Sequence, residues 1–288
     1  MEQFDVIVIG SGGGTKIALP AARRGLKTAL IERDAFGGTC LNRGCIPSKM
    51  LIYPADMIHA IRNARRVNVR ADQQIEGDFS GLVQRVTDTV TQMSDHFCDK
   101  VRQLNHLDYI DGSARFVADK VVEVNGRQLT APSIFIATGA RPSIPDIPGL
   151  ADTPYMTSTE ALRCDSLPAR MIVIGASYIA CELGHVYEAF GTETHFLVRS
   201  ALLRQEDDDI RTAFADDFRQ RHTLHMGFEP VEVRWEDDLF CVRVRHNEKG
   251  IEKELYAEAL LVSTGVEPVT DDLGLENTAI TRNDKGYI

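Results

Sequence analysis

The run DVIVIG (5–10) is apolar and ends at glycine; a helix-length segment, TKIALPAARRG, follows, and a second apolar run, KTALIE (27–32), comes next. Short apolar runs bounded by glycine predict buried strands, so the chain opens as strand, helix, strand. The same order returns far downstream in RMIVIG (170–175), ASYIACELGHVYEAFG and ETHFLVR (193–199). A nucleotide-binding unit that occurs twice predicts two nucleotide sites, one per domain, rather than a solenoid of short repeats. Between the copies, VVEVNGRQL (121–129) alternates around Asn-Gly, which predicts a hairpin, and SIFIATGA (133–140) reads as another buried strand. VEVRW (231–235), LFCVRVRH (239–246) and KELYAEALLVSTG (253–265) read as a strand meander closing the second half. In RPSIPDIPGLADTPYM (141–156), four of sixteen residues are proline, a composition suited to an extended connector. The expected fold is therefore α/β: two Rossmann-like domains, each a parallel sheet with helices plus a small antiparallel meander. The domains are expected at residues 1–150 and 151–266, with 267–288 starting a return segment to the first.

Composition narrows the function classes. At 288 residues the chain exceeds the usual size of a single core. No uncharged apolar run approaches the roughly 20 residues a membrane span needs, and MEQFDVIVIG lacks the basic leader of a signal peptide, so a cytoplasmic protein is expected. A net charge of −10 argues against general affinity for nucleic acid or anionic membrane. The four arginines of IRNARRVNVR (61–70) read as a solvated helix end. Six cysteines are too few for a secreted disulfide scaffold, and Cys98, Cys164, Cys181 and Cys241 are expected to be inert thiols.

Two turns have the residues for cradling a phosphate. In IGSGGGT, Gly10 and Gly12 fill the first two places of G-x-G-x-x-G, which lets the backbone turn sharply and approach a pyrophosphate at a helix N-terminus. Thr15 holds the third place, so either the helix stands off the strand or Gly13 and Gly14 compensate. Glu32, 22 residues after Gly10 at a strand end, is placed to accept ribose hydroxyls. The second copy, GASYIACELG, keeps Gly175 and puts Ser177 and Ala180 in the other places. Where an NAD site would have an acid, Arg199 stands at the strand end with Arg204 beyond it. Arginines there can pair with a 2′-phosphate and favour NADPH over NADH, or they are surface arginines on a loop.

The stretch GGTCLNRGCIPSKM (37–50) carries Cys40 and Cys45. On a straight helix residues five apart have Cα atoms about 8.6 Å apart, beyond the roughly 7 Å reach of a disulfide, so the segment must bend if they bond. Gly37, Gly38, Asn42 and Gly44 supply the flexibility, and Pro47 suits the first turn of a helix starting just after Cys45. Cys45 then sits at a positive helix end that favours thiolate, with Lys49 one turn later on the same face. Metal ligands, two spectator thiols and a redox pair are the three readings. The third is favoured, because zinc would need two further ligands and the only His-x-x-His, His222 and His225, is remote in sequence.

These motifs resemble the class I pyridine nucleotide-disulfide oxidoreductases, which include dihydrolipoamide dehydrogenase, glutathione reductase, mercuric reductase and mycothione reductase. Beside GGTCLNRGCIPSK, the segments IFIATGARPSIPDIPG, GASYIACELG and ALLVSTGVEP fall in the family order. The resemblance implies FAD on the first domain, at Gly10, Gly12, Gly13, Gly14, Glu32, Gly38, Thr39, Lys49, Ala114, Thr138 and Gly139. It implies a nicotinamide dinucleotide, NADPH before NADH, at Gly175, Ser177, Tyr178, Ile179, Arg199, Arg204 and Gly265, with Tyr178 covering the nicotinamide pocket. The catalytic set it implies is Cys40, Cys45, Lys49 and Glu182: Cys45 faces the flavin, Cys40 exchanges with substrate, and Lys49 pairs with Glu182 near the flavin nitrogen that receives hydride. The substrate class is a small-molecule or protein-bound disulfide or dithiol; no metal, nucleic acid or membrane partner is implied. Full-length members are homodimers with a second flavin motif and a His-x-x-His-Pro segment beyond the position of residue 288. Both are expected to be missing here, with turnover reduced roughly 10²- to 10⁴-fold for want of the histidine. Val266 and Val269 stand where the family has TGRxPNT. The competing expectation is a non-catalytic nucleotide-binding fragment.

Overall fold

The computed structural model describes residues 1–70 and 75–288. They form two compact units, each assembled from separated stretches of chain: unit 1 is Met1–Pro47, Asp88–Arg141 and Val266–Ile288, and unit 2 is Ser48–Thr87 and Pro142–Gly265. The sequence places boundaries near 150 and 266 and returns 267–288 to the first domain; in the compact units Val266–Ile288 groups with the first stretch, and Ser48–Thr87 groups with the second.

In unit 1 the strands Leu107–Asp111, Thr28–Glu32, Val6–Ile9 and Ser133–Ile136 lie in that order in one parallel sheet. Val6–Ile9 is buried throughout because both faces of the sheet are covered. Val6 and Val8 pack with Ala18 and Ala21 of helix α1 (Thr15–Arg23). Ile7 and Ile9 face the opposite way, onto Phe116, Val122, Val124 and Leu129 of a second sheet. That second sheet contains the expected hairpin: Val121–Val124 and Arg127–Thr130 pair antiparallel, with Asn125 (φ 50°) and Gly126 (φ 74°) at the turn. Helices α2 (Gly38–Arg43) and α3 (Cys45–Arg62) follow the second strand, and α4 spans Phe79–Arg102.

Unit 2 repeats the plan. Thr223–Met226, Glu193–Val198, Arg170–Ile174 and Ala259–Val262 form a parallel sheet in the same relative order: third, second, first and last. Its helices are α3 from Ser48 onward, α5 (Ser158–Ala161), α6 (Tyr178–Phe190) and α7 (Asp208–Phe218), with the start of α4. The strands Phe228–Glu236, Leu239–His246 and Glu252–Ala257 make an antiparallel sheet whose Val233, Phe240, Val242 and Val244 pack on Ile172, Ile174, Leu260 and Val262. KELYAEALLVSTG is therefore two strands in two sheets. Glu252–Ala257 alternates in exposure and stays in the meander, whereas the wholly buried ALLV leaves it and joins the parallel sheet, where both faces are covered. Among the described residues no helix is long and apolar enough to cross a membrane.

Candidate functional site

The turn after the first strand of unit 1 can be built only with little or no side chain at two positions. Gly10 has φ +103°, and a Cβ there would lie 2.3 Å from the carbonyl oxygen of Ala137. A Cβ at Gly14 would lie 2.1 Å from the Gly10 oxygen and 2.6 Å from Val8 Cγ1. Gly14 thus provides the close helix–strand approach, and Gly13 meets open space. Thr15 needs no room against the strand, because its Oγ1 turns back to donate to Gly12 O at 2.8 Å.

Glu32 is buried at the end of the second strand. Its Oε2 accepts from Ser11 N (2.8 Å) and Ser11 Oγ (2.7 Å), and its Oε1 from Arg33 N (2.8 Å) and Asp34 N (3.0 Å). Ser11 Oγ also accepts from Gly37 N at 2.8 Å, which ties the turn to the loop leading to the cysteines. Gly38 lies so close to Gly12 that a Cβ on it would come within 2.7 Å of Gly12 Cα. On the far side of the sheet, Thr138 Oγ1 donates to Val269 O (2.6 Å) and Val269 N to Gly139 O (3.0 Å). Val269 contributes main chain there, so its side chain replaces nothing in those bonds. Ala114 is buried in the core of the same unit.

The bend required between the cysteines is at Gly44. α2, which carries Thr39 and Cys40, ends there, and α3 begins at Cys45. Both sulfurs are exposed thiols. Cys40 is held above the ordinary thiol range first by its hydrogen bond to Cys45, then by burial and by the charge of Cys45. Asn42, buried between them in sequence, donates from Nδ2 to Ala35 O (3.2 Å), Phe36 O (2.9 Å) and Gly38 O (3.1 Å); Ser94 Oγ adds a bond to Phe36 O at 2.8 Å. Ser11 and Ser94 carry no signal in the sequence. Asn42 was legible only as a flexible position, and it acts as a clamp.

Unit 2 repeats the turn with fewer glycines. Gly175 has φ +136°, and a Cβ there would lie 2.1 Å from Ser263 O. Ser177 caps α6 by accepting from Ala180 N at 3.4 Å. Tyr178 is exposed at the first turn of α6 beside half-buried Ile179, and Gly265 (φ +137°) lies at the end of the last strand's loop. Leu203 N donates to Ala176 O at 2.9 Å, which brings the loop carrying exposed Arg199 and Arg204 against this turn. Lys49 Nζ and Glu182 Oε1 are 2.5 Å apart, joining α3 to α6. Among the described residues no group of three or more His, Cys, Asp or Glu side chains is arranged to hold a metal ion.

A family model for pyridine nucleotide-disulphide oxidoreductases matches residues 4–288. The chain belongs to the pyridine nucleotide-disulphide oxidoreductase family. Mercuric reductase of Staphylococcus aureus is 34% identical over 99% of this chain and 52% of its own length. Dihydrolipoyl dehydrogenase of Haloferax volcanii is 33% identical over 99% of this chain and 61% of its own. Among solved structures, the Cu(II) complex of the HOCl-induced flavoprotein disulfide reductase RclA from Escherichia coli superposes with a TM-score of 0.86 at 28% identity, covering 99% of this chain and 62% of that one. This family member spans about half to three fifths of the length of these relatives.

Proposed function

We propose that the chain is the dinucleotide-binding and redox part of a flavoprotein oxidoreductase. In this reading unit 1 holds FAD, unit 2 holds NADPH in preference to NADH, and Cys40 and Cys45 cycle between dithiol and disulfide. The observation that carries it is the seating of the Cys40–Cys45 segment on the first glycine turn, where Gly37 N donates to Ser11 Oγ at 2.8 Å and a Cβ on Gly38 would come within 2.7 Å of Gly12 Cα. Bound FAD would supply two-electron transfer between a nicotinamide and this sulfur pair.

The residues of unit 1 fit such a group. Gly10, Gly12 and Gly14 leave the turn without side chains, so a pyrophosphate can approach the amides at the start of α1. Glu32 is held rigidly by four donors, and rotation of the Ser11 hydroxyl frees one carboxylate position for a ribose hydroxyl. Oxidation of the pair forms one S–S bond and releases two protons and two electrons. Those two electrons and two protons can go to a small-molecule or protein-bound disulfide, which the dithiol reduces to two thiols. Cys40, as thiolate, attacks one sulfur of the substrate disulfide, forming a mixed disulfide and releasing the first substrate thiolate; Cys45, giving its proton to that departing thiolate, then attacks Cys40 Sγ, forming the Cys40–Cys45 bond and releasing the second, which takes its proton from solvent. Lys49 follows Cys45 by one helical turn, and Glu182 fixes its ammonium.

NADPH preference is supported by the Leu203–Ala176 bond, which puts the arginine loop beside the second turn. Two charge-assisted contacts to a 2′-phosphate are worth about 1.5–3 kcal/mol each, so Arg199→Glu is expected to reduce the preference for NADPH by roughly tenfold or more. Equal reduction rates with the two nucleotides in the unaltered protein would remove this part of the reading.

The whole reading is tested by purifying the chain, recording flavin absorbance, and counting titratable thiols before and after NADPH. A newly titratable pair that disappears in Cys40→Ser and Cys45→Ser is the expected result. Bound nucleotide with no change in thiol count would leave a nucleotide-binding protein without redox function.

A further inference from the structure

Helices α3 and α6 of unit 2 are joined by three polar pairs, only one of which the proposed chemistry uses. Lys49 meets Glu182 at 2.5 Å, Asp56 Oδ1 meets His185 Nε2 at 2.8 Å, and His59 Nε2 meets Glu188 Oε2 at 2.9 Å. Positions 49, 56 and 59 share one face of α3, and 182, 185 and 188 share one face of α6, so the pairs rise along both helices in the same sense. The two imidazoles stack with centroids 4.9 Å apart. Arg221, anchored on Asp217 at 2.9 Å, is wedged across them, with Nη1 at 3.1 Å from His185 Nδ1 and 3.4 Å from His59 Nε2. Because guanidinium only donates, His185 Nδ1 is an acceptor and its Nε2–H donates to Asp56.

The pairs differ in burial. Lys49 is 60% exposed, and an exposed ion pair with a long side chain does little to hold itself together. His59 and Glu188 are only 13% and 17% exposed. Pro54 lies between the first and second pairs, removes a main-chain hydrogen bond from α3 and makes it bendable. The direction of that bend is then set by side contacts. We propose that the pairs Asp56–His185 and His59–Glu188, with Arg221 across them, are positioning groups that fix how α3 lies along α6 and thereby keep Lys49 on Glu182. What this does for catalysis rests on the reading of Lys49 given above; the positioning itself needs no cofactor.

At the third contact His59 is uncharged near neutral pH and Glu188 Oε2 has no hydrogen-bond partner among the described residues, so ring stacking and Arg221, not an ion pair, hold this level of the two helices together. Burial first, then His185, Arg221 and Arg62, hold His59 down to about 4 against a smaller opposing pull from Asp56, while burial pushes Glu188 up. Facing groups are Asp56 and Arg62 on α3, His185 on α6, and Asp217, Arg221 and His222 from the end of α7 onward. Loss of His59 removes the ring that stacks on His185 and accepts from Arg221.

The test is NMR of the whole chain after reductive ¹³C-methylation of lysines at neutral pH, without flavin, with the Lys49 signal assigned from Lys49→Arg. Glu182→Gln sets the position of the unpaired signal. Glu188→Gln, His59→Gln and Asp56→Ala are expected to move Lys49 toward it, with the ratio of paired to unpaired lysine falling about 5-fold, the lower end of ordinary coupling between sites. Asp56→Asn, which still accepts from His185, is expected to restore the original signal. Phe240→Leu, in the other sheet of the unit, is the control for general destabilisation and is expected to leave the signal in place. A Lys49 signal unmoved by all three distal substitutions overturns the proposal, and so does one unmoved by Glu182→Gln. Neither outcome bears on flavin binding or thiol counts, so the two readings fail separately.

Discussion

In unit 1 the turn after the first strand is a run of glycines, Gly10 to Gly14 apart from Ser11, and the charge at the next strand end is a buried, fully hydrogen-bonded Glu32. In unit 2 only Gly175 remains of the run, a serine caps the helix, and the strand-end charge is exposed Arg199. Both sheets have the same strand order, and in both the first glycine faces the carbonyl of the residue following the last parallel strand, Ala137 or Ser263. That contact is imposed by the sheet, so the first glycine is required in both copies. The later positions answer to how closely the helix packs, and that is settled at different places: Gly14 against Val8 in unit 1, Gly184 against Phe196 in unit 2.

The strongest way to break the comparison is at its shared element. Gly10→Ala and Gly175→Ala each combine a left-handed backbone with a clash onto a carbonyl, and each is expected to cost about 2–5 kcal/mol. Urea unfolding followed at Trp235, the single tryptophan, reads the loss in unit 2; hydrogen exchange of the Val6–Ile9 amides reads it in unit 1. An unchanged midpoint for Gly175→Ala would show that the carbonyl contact is not obligatory.

Acid is expected to separate the units next. Unit 2 buries His222, whose Nδ1 bonds Thr194 Oγ1 at 2.5 Å and whose ring stacks on Phe218 at 3.8 Å. Burial first, then Arg221, His185 and His59, pushes it down to about 3. The unfolded chain therefore binds this proton first, and stability that is complete above about pH 6.5 is lost as pH falls through about 3, to the extent of about 5 kcal/mol. The described histidines of unit 1, His96 and His106, are exposed. Trp235 fluorescence should show a lower urea midpoint at about pH 5 than at neutral pH, and His222→Gln should flatten that dependence. A pH-independent midpoint in the original protein would contradict the assignment.

Glu32→Gln sharpens the contrast at the strand ends. An amide nitrogen would face donors that now meet a carboxylate, at a cost of about 1–3 kcal/mol and with loosened FAD retention. Arg199, exposed and outside any such network, is expected to change nucleotide preference without a comparable loss of stability. The smallest effect belongs to Gly13→Ala. Nothing lies within 4 Å of that Cβ, so a change within about 0.5 kcal/mol is expected in the hydrogen exchange of the Val6–Ile9 amides. A large loss there would mean that the whole glycine run, and not Gly10 and Gly14, forms the turn.

Much of this was legible in the chain. Apolar runs ending at glycine gave the parallel strands, Asn125-Gly126 gave the hairpin, and the motif around Cys40 and Cys45 led to the family, because each signal sits within a few residues of what it specifies. The resemblance also pointed to the Lys49–Glu182 pair, although 133 residues separate its members. Ser11, Asn42 and Ser94 carry no comparable local signal, since their hydroxyls and amide act on main-chain atoms brought near by folding.

Periodicity and turn chemistry by themselves determined which segments are strands and helices and where the backbone must run without side chains, since those depend on nearest neighbours. Only the tertiary structure decided that ALLV leaves the meander for the parallel sheet, that residues 48–87 belong with unit 2, and that Gly14 rather than residue 15 bears the helix contact. These depend on what covers each face, and burial against a distant partner outweighs local preference.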